Sequence, residues 1–152
     1  MDLDPHALHV AIRWLHVAAM ATAFGGAISV LALATRPGVV SSSAIVAVAV
    51  RYEWMFWAAA GVLAMTGIGN LAAFGIGLLS PSTSWGTTLL LKLGSVLALV
   101  FVSLPRTLAV ARFNASPGVS AITRLRNLYA ITTGAFALIL GLAVWLAHGA
   151  AE

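Results

Sequence analysis

Apolar residues run almost unbroken along four stretches of the chain, about Ala7 to Ala34, Trp54 to Leu79, Trp85 to Leu104 and Leu128 to Ala147. Polar residues gather between them. The first connection holds Arg36-Pro37-Gly38 and Ser41, Ser42 and Ser43; the second is Ser80-Pro81-Ser82-Thr83-Ser84; the third runs from Asn114 to Ser120 and contains Pro117-Gly118. A bilayer core about 30 Å thick needs roughly 20 helical residues. Four such spans with short connections use up residues 1–152 as a single transmembrane domain. The pattern predicts an all-α integral membrane protein, an up-and-down four-helix transmembrane bundle. Small residues recur along the spans, among them Gly25, Gly26 and Ser29, Gly61, Gly67 and Gly69, and Gly134 and Gly141. They let helix backbones approach where lipid gives no hydrophobic drive between helices.

The edges of the runs carry their own signals. Asp4-Pro5 suits a helix start, with Pro at the first position. That acidic beginning, before a long apolar run, reads as a retained first span rather than a signal peptide. Ala44 to Val50 is apolar but short, either an interfacial piece or an early start of the second span. Arg51, Tyr52 and Glu53 then read as the water boundary, with Trp54, Phe56 and Trp57 as an aromatic belt. Pro105-Arg106 is expected to interrupt or kink the third span, which extends at most to Phe113. Arg124, Arg126 and Tyr129 lead into the fourth.

Composition agrees. The chain is 61% hydrophobic and only 8% charged, against about 25% charged in a soluble domain. Its net charge of +4 comes without a basic cluster of interleaved aromatics, so no nucleic-acid partner is expected. There is no cysteine, which excludes disulfides, iron–sulfur clusters, thiolate metal sites and c-type haem attachment. Arg36, Arg51, Arg106, Arg112, Arg124 and Arg126 fall in or beside the first and third connections, and the second connection holds no Lys or Arg. The positive-inside rule then predicts an inner (cytoplasmic) membrane protein with both termini outside.

Ionisable groups inside spans mark candidate sites. His9, Arg13 and His16 lie at i, i+4 and i+7, on one face of the first helix. His16 lies roughly 13 Å below the outer end of its span and Lys92 roughly 10 Å below the same side. Asn70 falls in the same layer of the second span. His16 reads as an axial ligand to a haem iron or as a packed histidine bonded to a neighbouring helix. Lys92 either snorkels outward or serves the cavity, pairing a propionate or binding a metal. Arg13 either holds a carboxylate or reaches the headgroups. His6, His9 and His148 gather near the outer surface, where they are solvated or bind copper or zinc. Met20, one turn below His16, is a soft ligand or packing. With acidic residues almost absent from the spans, a carboxylate proton relay is not expected. No nucleophile motif, paired carboxylates or phosphate loop is present, so hydrolase and kinase chemistry have nothing to run on.

Trp14-Leu15-His16 followed by Phe24-Gly25-Gly26, Thr66-Gly67 in the second span, and Trp85-Gly86 with Leu90-Leu91-Lys92-Leu93 in the third resemble the CopD family and the related HemJ-type protoporphyrinogen oxidases. The resemblance covers the four-span layout. It implies that His16 and Lys92 belong to a haem and active-site region, or that the protein carries copper through the inner membrane. Where HemJ-type proteins have Asn-Glu-x-Pro before the fourth span, this chain has Arg126-Asn127-Leu128-Tyr129. The expected function is therefore b-type haem binding for electron transfer, alone or within a larger redox complex or homo-oligomer in the bilayer, with His16, Lys92, Arg13 and Asn70 at the cofactor. The alternatives are CopD-like copper handling, HemJ-like oxidation of a porphyrinogen (or of a quinone-type donor), and a cofactor-free anchor subunit.

Overall fold

The computed structural model describes residues 5–36, 38–74, 83–115 and 119–149. They form four helices: α1 (Pro5–Ala34), α2 (Ser42–Phe74), α3 (Ser84–Ala115) and α4 (Val119–Gly149). Each is long and apolar enough to cross a membrane, and together they make the all-helical, up-and-down bundle of an integral membrane protein. Sequence neighbours pack against one another, and α4 closes the ring on α1. Across the diagonals α2 touches α4, whereas α1 and α3 make no backbone contact among the described residues.

The helix starts are capped by hydroxyls. Ser41 Oγ accepts from the Ala44 amide at 3.3 Å, and Thr83 Oγ1 accepts from the Gly86 amide at 3.0 Å, each satisfying a first-turn donor that has no partner inside its helix. Gly38 turns the chain between α1 and α2 with φ of 91°, a left-handed conformation that glycine adopts without a steric penalty.

Three boundaries are settled by the helices. Of its two expected readings the short run 44–50 takes the early start: it is part of α2, which begins at Ser42. α3 passes through Pro105 and continues to Ala115. A proline removes one backbone donor, a loss that a helix inside a bundle tolerates. α4 begins at Val119, so Arg124 and Arg126 lie on a helix and not in a loop.

The core between α1 and α2 is built from small residues. Ala19, Ala23, Ala27, Val30 and Ala34 form the inward stripe of α1 and meet Ile45, Val46, Ala49, Tyr52 and Phe56 of α2. Larger apolar side chains such as Trp14, Met65, Phe101, Leu108, Ile131 and Trp145 face outward, as lipid permits and water does not.

Candidate functional site

Two polar clusters stand out within the bundle. The first joins α1 to α2 in the half nearer the chain termini. His9, Ile12, His16 and Met20 are half-buried along the inward side of α1. His16 Nδ1 lies 2.7 Å from Thr66 Oγ1. Thr66 is buried, and its hydroxyl also lies 2.7 Å from the carbonyl oxygen of Val62, one turn back. A hydroxyl has one proton to donate. Given to Val62, it leaves the oxygen to accept from His16, so the imidazole carries its proton on Nδ1. Nε2 then keeps its lone pair. That is the arrangement by which a second-shell oxygen orients a metal-binding histidine.

Lys92 of α3 is half-buried and lies within electrostatic range of His16, across the diagonal that α1 and α3 leave open. Arg13 is exposed. Asn70 is in α2 and His148 in α4, but their side chains lie outside the described residues. His6 is exposed and His9 half-buried. Among the described residues no group of three or more His, Asp or Glu side chains is placed to hold a metal.

The second cluster went unnoticed in the sequence. Glu53 and Arg106, read there as a water-boundary acid and a loop cation, are 4% and 1% exposed. Arg106 Nε donates to Glu53 Oε1 at 2.8 Å and Nη2 donates to Oε2 at 3.1 Å, a bidentate pair of the strong kind. Tyr129 Oη donates to Oε1 at 2.6 Å, and Thr107 Oγ1 bonds Oε2. Trp57 Nε1 donates to Thr107 Oγ1 at 3.0 Å. Arg106 Nη1 donates to Thr132 Oγ1 at 3.0 Å. The guanidinium sits in an aromatic box, its Cζ 4.4 Å from the Phe56 ring centre and 5.4 Å from those of Tyr52 and Tyr129. Cation–π attraction adds to the ion pair in such a dry setting. α2, α3 and α4 are thereby tied at one point, and Tyr52 extends the tie to α1 by donating to the Ala23 carbonyl at 3.0 Å.

Two expectations are corrected here. Glu53 marks no water boundary but is buried within α2, and Arg106 does not belong to a connection. The arginines exposed at that end of the bundle are Arg36, Arg51, Arg112, Arg124 and Arg126. The signal that could have found the pair is that Glu53 is the one acid between residues 5 and 151, while Arg106 lies between the mostly apolar runs 96–105 and 108–111. A charge that cannot reach water needs a partner.

These helices, with a buried ion pair and a few polar contacts set in an otherwise apolar core, define a polytopic membrane protein. The family model for Copper resistance protein D, CopD, matches residues 46–146, about two thirds of the chain. The protein belongs to the CopD family. The match spans Glu53, Thr66, Lys92, Arg106, Tyr129 and Thr132, and leaves α1 with His16 outside. No curated protein and no solved structure matches the chain.

Proposed function

We propose that this protein handles copper within the membrane, with His16 Nε2 as a ligand in the half of the bundle nearer the termini. The observation that carries the reading is the Thr66 bond to His16 Nδ1, which presents a neutral imidazole with its other nitrogen free. Imidazole suits copper, and the thioether of Met20, one turn along the same helix, is a soft donor of the type that reduced copper prefers. The description of the family as copper resistance protein D agrees with this cargo. The five exposed arginines support the connections α1–α2 and α3–α4 facing the cytoplasm and both termini facing outward; in an inner membrane so crossed, His16 would lie in the outer half.

Haem iron would use the same lone pair. Among the described residues of α3, the side chain within electrostatic range of His16 is Lys92. One preparation separates the readings. The purified protein is titrated with Cu(I) against a competing chelator, and its visible spectrum is recorded oxidised and reduced. Stoichiometric copper uptake that falls at least tenfold in His16→Ala supports the proposal. A Soret band lost in His16→Ala replaces it with a haem electron carrier, whose turnover of protoporphyrinogen is then the test for an oxidase. A colourless protein that ignores copper and co-purifies with a partner leaves an anchor subunit.

A further inference from the structure

From the termini toward the connections α1–α2 and α3–α4, the interior of the bundle tightens. Near the termini His16, Met20 and Lys92 are half-buried. Two turns beyond His16 on the same helix, the Phe24 ring lies 5.8 Å from that of Phe136 in α4. Phe136 in turn lies 6.3 Å from Phe56 in α2. Three helices thus meet in one aromatic layer. The Phe56 ring also faces the Arg106 guanidinium, so the Glu53–Arg106 pair comes next. In the half that bears these connections every helix contributes a large side chain no more than 1% exposed: Val30, then Ile45 and Val46, Arg106, and Leu125 and Tyr129.

The two layers resist a passing ion in different ways. Packed aromatic rings offer nothing to replace its hydration shell, as in a hydrophobic constriction. The carboxylate behind them is already used. Glu53 Oε1 accepts from Arg106 and Tyr129, and Oε2 accepts from Arg106 and Thr107. Four bonds fill the lone-pair sites of a carboxylate, so no acceptor is left there for a cation. Parting α2 from α3 at this level would separate the carboxylate from its guanidinium in a medium of low dielectric, which costs far more than sliding apolar faces apart.

We infer that the bundle is a dead end: the His16 site exchanges with the side of the membrane that bears the termini, and the Phe24–Phe136–Phe56 layer with the ion pair behind it seals it from the side of the connections. For copper, a consequence that rests on the proposed function, the metal enters and leaves from one side and does not cross through a single bundle. Such a protein takes the ion from a donor and gives it to an acceptor at the same membrane face.

The chain has no cysteine, so single introduced thiols report access to an impermeant sulfonated maleimide in membrane vesicles of either sidedness. Val39→Cys, exposed in the α1–α2 connection, marks the connection side. Met20→Cys, and Ile12→Cys two turns nearer the termini, should label from the opposite side alone. Ser103→Cys should label from neither. Labelling of Met20→Cys and Ile12→Cys from the connection side, or from neither side, overturns the inference, and so does labelling of Ser103→Cys. These outcomes do not depend on copper. A second arm reconstitutes the unmodified protein in vesicles that hold a Cu(I)-chelating dye. Dye response no faster than in protein-free vesicles is expected from a preparation that binds Cu(I), and faster entry overturns the dead end while leaving His16 as a ligand. A preparation that binds no Cu(I) removes the proposed function instead, and the thiols alone then decide the sidedness.

Discussion

The edge of the Tyr52 ring occupies the space that a side chain at position 26 would need. A Cβ built on Gly26 falls 2.6 Å from Tyr52 Cδ2 and 2.7 Å from Cε2, closer than two carbons can stand. Because the same ring forms a wall of the Arg106 box and bonds the Ala23 carbonyl, it cannot simply swing away.

Gly26→Ala is accordingly expected to destabilise the protein by about 1–3 kcal/mol, the usual cost of overpacking. Thermal unfolding in detergent measures it. In a Tyr52→Leu background the same change should cost much less; an equal loss in both backgrounds would mean that the contact with Tyr52 is not the cause.

Removing one member of the buried pair should be far worse than removing both. Glu53→Gln or Arg106→Met leaves a charge or its donors unpaired, a loss of about 3–5 kcal/mol. The double variant Glu53→Met with Arg106→Met should regain most of that, because two desolvated charges vanish together. Unfolding midpoints of the three proteins form the test, and additive losses would count against a coupled pair.

Tyr129→Phe deletes the hydroxyl that donates to Glu53 Oε1 and keeps the ring against the guanidinium. A hydrogen bond to a charged group contributes about 1.5–3 kcal/mol, and a loss of that size is expected. Trp57→Phe removes the donor to Thr107 together with part of a ring packed on Phe56, so its loss combines a hydrogen bond of about 1 kcal/mol with a packing defect. Thermal unfolding in detergent measures both variants, and an unchanged midpoint in Tyr129→Phe would mean that its bond to Glu53 contributes nothing.

Thr66→Val removes the oxygen that orients His16 while preserving shape. Loss of such an outer partner typically weakens metal binding by about 10–100-fold, and Cu(I) competition titration should show this. Thr66→Ser, which restores the hydroxyl, should bind nearly as the parent does. An unchanged affinity in Thr66→Val would remove the tautomer argument for His16.

The bundle itself was legible because four long apolar runs have few alternative explanations. His16 was legible as well, since a histidine inside such a run stands out by its polarity alone. Thr66 stood out only as part of the family resemblance, and its bond to His16 was not legible. A threonine that bonds its own helix one turn back scarcely disturbs hydropathy, and nothing in the sequence ties position 66 to position 16. Glu53 was misread for a geometric reason. Arg51 and Glu53 are two residues apart, and at 3.6 residues per turn two steps carry a side chain more than halfway round the helix. Arg51 points out and Glu53 points in, so an apparent polar edge is two opposite faces of one continuous helix. Arg106 was misread because Pro105 before it suggested a break. With the helix continuing to Ala115, the same residue falls inside the bundle.

The pairing of Glu53 with a residue 53 positions later in the chain bears on how the protein is made. When α2 emerges from the ribosome Arg106 has not yet been made, and a charged side chain without its partner near the centre of a helix disfavours entry into the bilayer by roughly 2.5–3.5 kcal/mol. α3 arrives with the complementary charge. The two helices pass into lipid with least resistance as an already joined hairpin, so the integration of α2 is tied to the arrival of α3.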